Sequence, residues 1–375
     1  MKGVTMKHPS TLVVLVMFCL ATTTFALPRF ALMTGAKCAS CHVNPTGGQM
    51  RNDYGASYST EKLPLTALQD SEFTFSGKLN DNISIGGDYR SQFIYDAAQQ
   101  QSTFQAMTTT LYGTIRLNKK FSFYYKQDLV NSGYNSLNGP EVFVLAKVLP
   151  DGWYIKGGDF LPDFGWRIDD HTSSTRGGDF IAMPGLIFIP NYKDIGAEVG
   201  GYAGGLFLSA GLFNGTGNFK KLDFSNEKAY VGRAEYMGSL SNVNFRIGAS
   251  GYGYRNFKMY GVNAGIGGEC FALYGEVDWT HNIYSPFDGT ITDGHKQMAA
   301  FTELDYTPLQ GLTLTGRFSI FDLEQGVNDN EIKQLSLGFE FFPYSFVEVR
   351  PQYRINIETP SKSNDYALVQ MHVWF

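Results

Sequence analysis

The sequence predicts an all-β chain, a transmembrane outer-membrane β-barrel of about 16 antiparallel strands, preceded by a short N-terminal segment of different character. Three observations predict it. Apolar and polar residues alternate with period two over much of the chain from about Ile83. The composition holds 42 Gly, 30 Phe and 22 Tyr with only 17% charged residues, yet no apolar run after the N-terminus is long enough for a spanning helix. The last residues, Ala367-Leu368-Val369-Gln370-Met371-His372-Val373-Trp374-Phe375, form an alternating strand closed by a terminal aromatic.

The chain opens with a targeting segment over residues 1–26. Lys2 and Lys7 give it a positive start, 11–20 an apolar core, and Thr24-Phe25-Ala26 the small residue needed for cleavage after Ala26. Cys19 leaves with it, so the mature chain keeps Cys38, Cys41 and Cys270. Export is thereby expected. Net charge is −5 with no basic cluster, which argues against a nucleic-acid partner.

Residues 27–71 form the second segment, loop-rich through Pro45, Gly47, Gly48 and Pro64, with a short helix expected before Cys38. It contains Cys38-Ala39-Ser40-Cys41-His42, the C-x-x-C-H attachment signature of a c-type haem. Two thiols at this spacing add to the two vinyl groups of one haem, and the histidine is placed as proximal iron ligand. The competing reading is a disulfide between exported cysteines beside an unrelated histidine. For the distal position the candidates are Met50, just past the flexible Thr46-Gly47-Gly48, and His372, which alternation from Phe375 turns into the lumen. Met33 and an open, water-bearing position are further alternatives.

Residues 72–375 form the barrel. Val243, Phe245, Ile247 and Ala249 alternate with Asn244, Arg246, Gly248 and Ser250, and the same pattern runs through 270–279, 312–320 and 347–355. A soluble sandwich would also alternate. Charges repeated in mid-strand and aromatics at strand ends favour a lipid-facing barrel, which must close to leave no unpaired edge. Tight turns are read at 118–120, 150–152, 203–204, 238–242, 267–268, 307–311 and 342–345. Longer connections alternate with them at 96–102, 131–139, 161–193, 216–226, 254–257, 282–294, 324–330 and 359–363. Short turns lie in the periplasm in bacterial barrels, so both termini are expected there. The stretch 72–79 is read as linker.

Within the barrel, 161–193 is long enough to fold inward and narrow the pore. Its Asp169, Asp170 and His171 are candidates for holding a cation such as Fe(II), against the simpler reading that they solvate the loop or pair with Arg167 and Arg176. The lumen charges Asp88, Arg90, Arg246, Asp278, Arg317, Glu340, Glu348 and Arg354 mix both signs and name no substrate. Cys270 is read as a small inward residue. No nucleophile–base arrangement or phosphate loop is present.

A haem-binding C-x-x-C-H just after a signal peptide, followed by one barrel ending in Phe, resembles the fused outer-membrane monohaem cytochrome–porin family, which includes outer-membrane iron oxidases. The run 37–55, with Asn44-Pro45 and Arg51-Asn52-Asp53-Tyr54-Gly55, is similar to other cytochrome-barrel proteins. At residue level the resemblance carries only Cys38, Cys41 and His42. It implies covalent haem c and electron transfer between an extracellular donor or acceptor, such as iron, and a periplasmic cytochrome or other soluble carrier. An Fe(II)-oxidising activity belongs to that implication. The alternative expectation is a diffusion porin whose haem-bearing segment serves docking, anchoring or redox sensing. Whether barrels associate, as trimers for instance, no motif says.

Overall fold

The structure, a computed structural model, describes residues 28–68, 77–129, 139–150, 152–168, 172–179, 181–188, 192–217, 222–285 and 289–375. The expected signal segment and Asp169, Asp170 and His171 lie outside the described residues. Three short helices come first: α1 Pro28–Thr34, α2 Cys38–Cys41 and α3 Asp53–Glu61. The strands follow: β1 Ile83–Asp96, β2 Gln101–Arg116, β3 Phe121–Asp128, β4 Glu141–Ala146, β5 Trp153–Phe160, β6 Asp194–Ala203, β7 Leu206–Phe213 and β8 Ala229–Leu240. The second half holds β9 Val243–Tyr254, β10 Phe257–Gly268, β11 Phe271–Tyr284, β12 Ile291–Leu309, β13 Leu312–Asp322, β14 Glu331–Phe341, β15 Val347–Ile357 and β16 Tyr366–Trp374. No described helix is long and apolar enough to cross a membrane, which says nothing of the strands.

Every strand pairs antiparallel with its sequence neighbours, and β1 pairs with β16, so the sheet closes on itself. The seam runs from Asp88↔Trp374 to Asp96↔Tyr366. Phe375 continues it, exchanging backbone hydrogen bonds of 3.1 Å in both directions with Gly87. Closure satisfies the backbone groups that an open edge would leave bare in hydrocarbon.

The sixteen-strand expectation holds, with the strands where the alternation put them. Along β9, Ile247 and Ala249 are exposed while Arg246, Gly248 and Ser250 are buried. The same inversion recurs on β11, where Leu273 and Trp279 face out and Glu276 and Asp278 are buried. A water-soluble fold would reverse these faces. Here the outer wall suits hydrocarbon and the charge is inside.

Two local expectations change. The connection 254–257, read as one of the longer loops, is a turn of just Arg255 and Asn256, with Arg255 at φ +54°. The tight turn read at 267–268 falls at Glu269 and Cys270 instead, because Gly267 and Gly268 close β10; the Cys270 carbonyl accepts from the Thr307 amide at 2.8 Å.

Two pieces of chain fill the lumen. From the end that bears the short turns comes 28–68, the segment expected either below the barrel or plugging its mouth. Its α1 packs against β9, β10 and β11. Arg29, 1% exposed, pairs with Glu340 of β14 and lies 3.7 Å from Asp305 of β12. The Arg246 guanidinium donates to the Ala36 carbonyl, and Asn244 Nδ2 to Leu32 at 2.8 Å. From the other end, the described residues of the third long loop, 161–193, fold inward. Arg176, 3% exposed, reaches Glu276 at 2.5 Å and Asp278 at 3.2 Å, both on β11. Asp163 meets Arg233 at 2.9 Å, and Asp179 Oδ2 accepts from Gln334 at 2.8 Å.

The lumen is not uniformly polar. Inward residues of β4, β5, β7 and β9, namely Phe143, Phe160, Phe213 and Tyr252, pack with Phe164, Phe188 and Tyr192 of the loop into an aromatic core. The signal for it lies in strands apolar on both faces, such as β4 (EVFVLA) and β7 (LFLSAGLF), which suit a wall with lipid on one side and packed side chains on the other.

Candidate haem site

The C-x-x-C-H run forms one helical turn, α2, with the His42 amide donating to the Cys38 carbonyl at 3.1 Å. A small hairpin follows. His42 bridges to Arg51, and the Val43 amide donates to the Met50 carbonyl at 3.2 Å. Its turn requires positive φ at Gly47 (+93°) and Gly48 (+81°), a conformation glycine adopts without a side-chain penalty. The hairpin returns the chain to α2, where the Asn52 amide donates to the Cys41 carbonyl at 2.9 Å.

Asn52 then does two things. Its Oδ1 caps α3 by accepting from the Gly55 amide at 3.0 Å, and its Nδ2 donates to the Ser40 carbonyl at 3.0 Å. One side chain thus starts α3 and clamps the cysteine turn. Gly55 completes the contact, since any Cβ there would collide with the Cys41 carbonyl oxygen. Arg51, Asn52 and Gly55 belong to the run that the sequence singled out, and the structure supplies their work.

The motif lies inside the barrel. Cys41 is 2% and His42 8% exposed. Burial, and then the neighbouring Cys38, push the Cys41 thiol up to about 11. Lys37 sets its amine 4.6 Å from the Tyr202 ring, and Tyr124 donates its hydroxyl to Gln49 at 2.8 Å. On the far side, Gly47 and Gly48 lie against Arg167 of the third loop. The two lumen fillers therefore meet beside the cysteines.

Cys41 and His42 border a cavity with about 1340 Å³ of space between its atoms, open solvent included. Its wall carries aromatic surface from Tyr112, Tyr274 and Trp374, cationic groups from Arg51, Arg90 and Arg350, and the carboxylates of Asp88, Glu303, Glu340 and Glu348, of which Asp88 pairs with Arg90 and Glu348 with Arg350. Aromatic surface with guanidinium groups suits a flat conjugated macrocycle bearing carboxylates. Cys38 and Cys41 also border a smaller space, about 470 Å³, against Trp166, Arg167 and Arg233. The residues present thus fit a covalently held haem: two thiols one helical turn apart, an imidazole beside them, and room at Cys41.

The two distal candidates separate. His372 lines the same cavity as His42. Met50, 4% exposed, packs with the aromatic core and borders a different cavity, alongside Gly77 and Phe375. Among the described residues no group of three or more His, Cys, Asp or Glu side chains gathers as a metal site. The lumen charges named from sequence are inward and mostly in ion pairs, such as Arg246 with Glu235 at 3.0 Å and Arg350 with Glu348 at 3.0 Å.

Known structures share the architecture. The Salmonella typhi OmpF complex with daunomycin aligns with a TM-score of 0.57 at 13% identity, over 78% of this chain and 98% of that one. The outer membrane channel DcaP of Acinetobacter baumannii gives 0.53 at 12% identity, over 78% and 97%. Pseudomonas putida OprB gives 0.52 at 11%, over 78% and 94%. No sequence-family profile matches the chain. No curated protein sequence matches it either. The chain has a porin-like outer-membrane channel fold, and the barrel with its neighbours supports an outer-membrane location. Of the two functional expectations, this likeness backs the diffusion porin better than the electron carrier. It carries nothing about haem.

Proposed function

We propose that this porin-type barrel holds one covalent haem c in its lumen and passes single electrons across the outer membrane. The partners are a donor or acceptor at the long-loop end, such as Fe(II), and a soluble carrier in the periplasm, where both termini lie. The observation that carries the reading is the burial of Cys41 and His42 inside the barrel, beside a cavity. A haem segment serving only for docking would have no need of that position.

Bound haem c supplies a one-electron couple at the iron. Cys38 and Cys41 would hold it through thioethers, and His42 would offer a nitrogen to the iron. Asn52 and Gly55 fix the turn that presents them. Arg51, Arg90 and Arg350 border the cavity, and propionates there would share Arg90 with Asp88 and Arg350 with Glu340 and Glu348. A membrane core of roughly 30 Å blocks electrons, and a redox centre at lumen depth shortens that gap.

The diffusion-porin reading is favoured by the fold comparisons and by the charged lining of the cavity. In it the lumen conducts solute, and 28–68 gates or docks. One experiment separates the two. The natively exported protein is inserted into liposomes, a membrane-impermeant reductant is added outside, and the haem absorption bands are followed with solute leakage. Outside-in reduction without leakage supports the electron conduit. Leakage without reduction supports the porin. Absence of a covalent haem spectrum removes the haem reading of Cys38, Cys41 and His42.

A further inference from the structure

We infer that His372 is the second axial ligand of the haem iron, oriented by Glu348; this rests on the haem reading above. Four observations lead to it. His372 is the only imidazole or thioether besides His42 among the described residues lining the cavity, whereas Met50 borders another space. It is 7% exposed. Its Nδ1 pairs with Glu348 Oε2 at 3.0 Å, across the β15–β16 register. Its Nε2 is buried and lies within ion-pair distance of Asp88 Oδ1, at 3.1 Å.

Half of what a metal-bound histidine needs is in place: one ring nitrogen donates to a carboxylate, which fixes the tautomer and the ring plane, while the other, now against Asp88, would have to be freed for the metal. Glu348 is itself held by Arg350 at 3.0 Å. The ring lies 4.9 Å from the Trp374 ring, centroid to centroid.

The path back to the attachment motif is short. Trp374 lies under the Arg51 guanidinium, 5.3 Å from its centroid, and Arg51 is the backbone partner of His42 in the hairpin. Trp374 Nε1 also donates to Ser59 of α3 at 3.3 Å. The final strand and the N-terminal segment therefore meet at this cavity, and the two histidines come from opposite ends of the chain. In the apo arrangement Asp88 stands beside Nε2, so ligation requires that carboxylate to turn toward Arg90, 3.6 Å from it.

The test reads the haem rather than its activity. Natively exported, haem-loaded protein is examined by electron paramagnetic resonance and near-infrared magnetic circular dichroism. The expected result is low-spin ferric haem with two imidazole ligands. His372→Ala should lose the low-spin signal and gain carbon monoxide binding in the ferrous state, and added imidazole should restore low spin. Met50→Leu should change neither. A sulfur-to-iron charge-transfer band, a high-spin wild-type haem, or a His372→Ala variant that stays low-spin would overturn the assignment. The wild-type spectrum decides even if the variant does not fold. Protein with no covalent haem at all would overturn the haem reading itself, and the assignment with it.

Discussion

At the residue scale, Gly55 has no room for a side chain. Its α-carbon rests against the backbone of the cysteine turn, so a side chain must push α3 away from α2. Gly55→Val is expected to lower the yield of covalently haem-bearing protein several-fold while the barrel still folds. Haem-stained gels beside heat-modifiable migration of the barrel check both halves. Cys38, Cys41 and His42 stood out in the sequence because the chemistry that C-x-x-C-H would serve fixes its spacing. Asn52 and Gly55 were visible only as part of a run. Their role depends on a hairpin closed by two positive-φ glycines, which places a cap eleven residues downstream against Cys41. His372 was placed inward by alternation alone. Its partner Glu348 sits on the neighbouring strand, and no reading of one strand supplies a register.

Among elements, the third loop is the one whose placement changes the lumen. Its limits, 161–193, were legible in full, because alternation stops at Phe160 and resumes at Asp194. Its inward course is set by Arg176, which spans Glu276 and Asp278 on β11. Arg176→Ala strands two buried carboxylates, a change that costs about 3–5 kcal/mol. The expected outcome is a loosened loop, higher single-channel conductance in planar bilayers and a lower unfolding temperature. Unchanged conductance would mean that the aromatic packing of Phe164, Phe188 and Tyr192 holds the loop without the ion pairs. That packing was the part of the fold least legible in sequence. Period two separates two faces cleanly when one meets lipid and the other water. Where the lumen is dry, as along β4 and β7, both faces turn apolar and the period fades.

For the whole molecule, the segment 28–68 and the barrel are one packed unit. Buried charge ties them: Arg29 to Glu340, and Arg246 to Ala36. Deleting 28–66 is expected to leave a closed barrel, since the seam between β1 and β16 uses none of those residues, but one with a wider pore and larger conductance. Bilayer recordings on the deleted protein, with heat-modifiable migration as the fold check, test this. A deletion that abolishes the barrel would show that the segment templates it.

The burial of Cys41 bears on biogenesis. The strand that closes the seam, β16, is also the last to be made, whereas the cysteines emerge near the start. Once the barrel has shut around them, a thiol 2% exposed is beyond the reach of any enzyme that would join it to a porphyrin. On the proposed function, maturation would run in a fixed order. A haem would be attached while the chain is still open, and whatever escorts the unfolded chain to assembly would leave the segment 28–68 accessible.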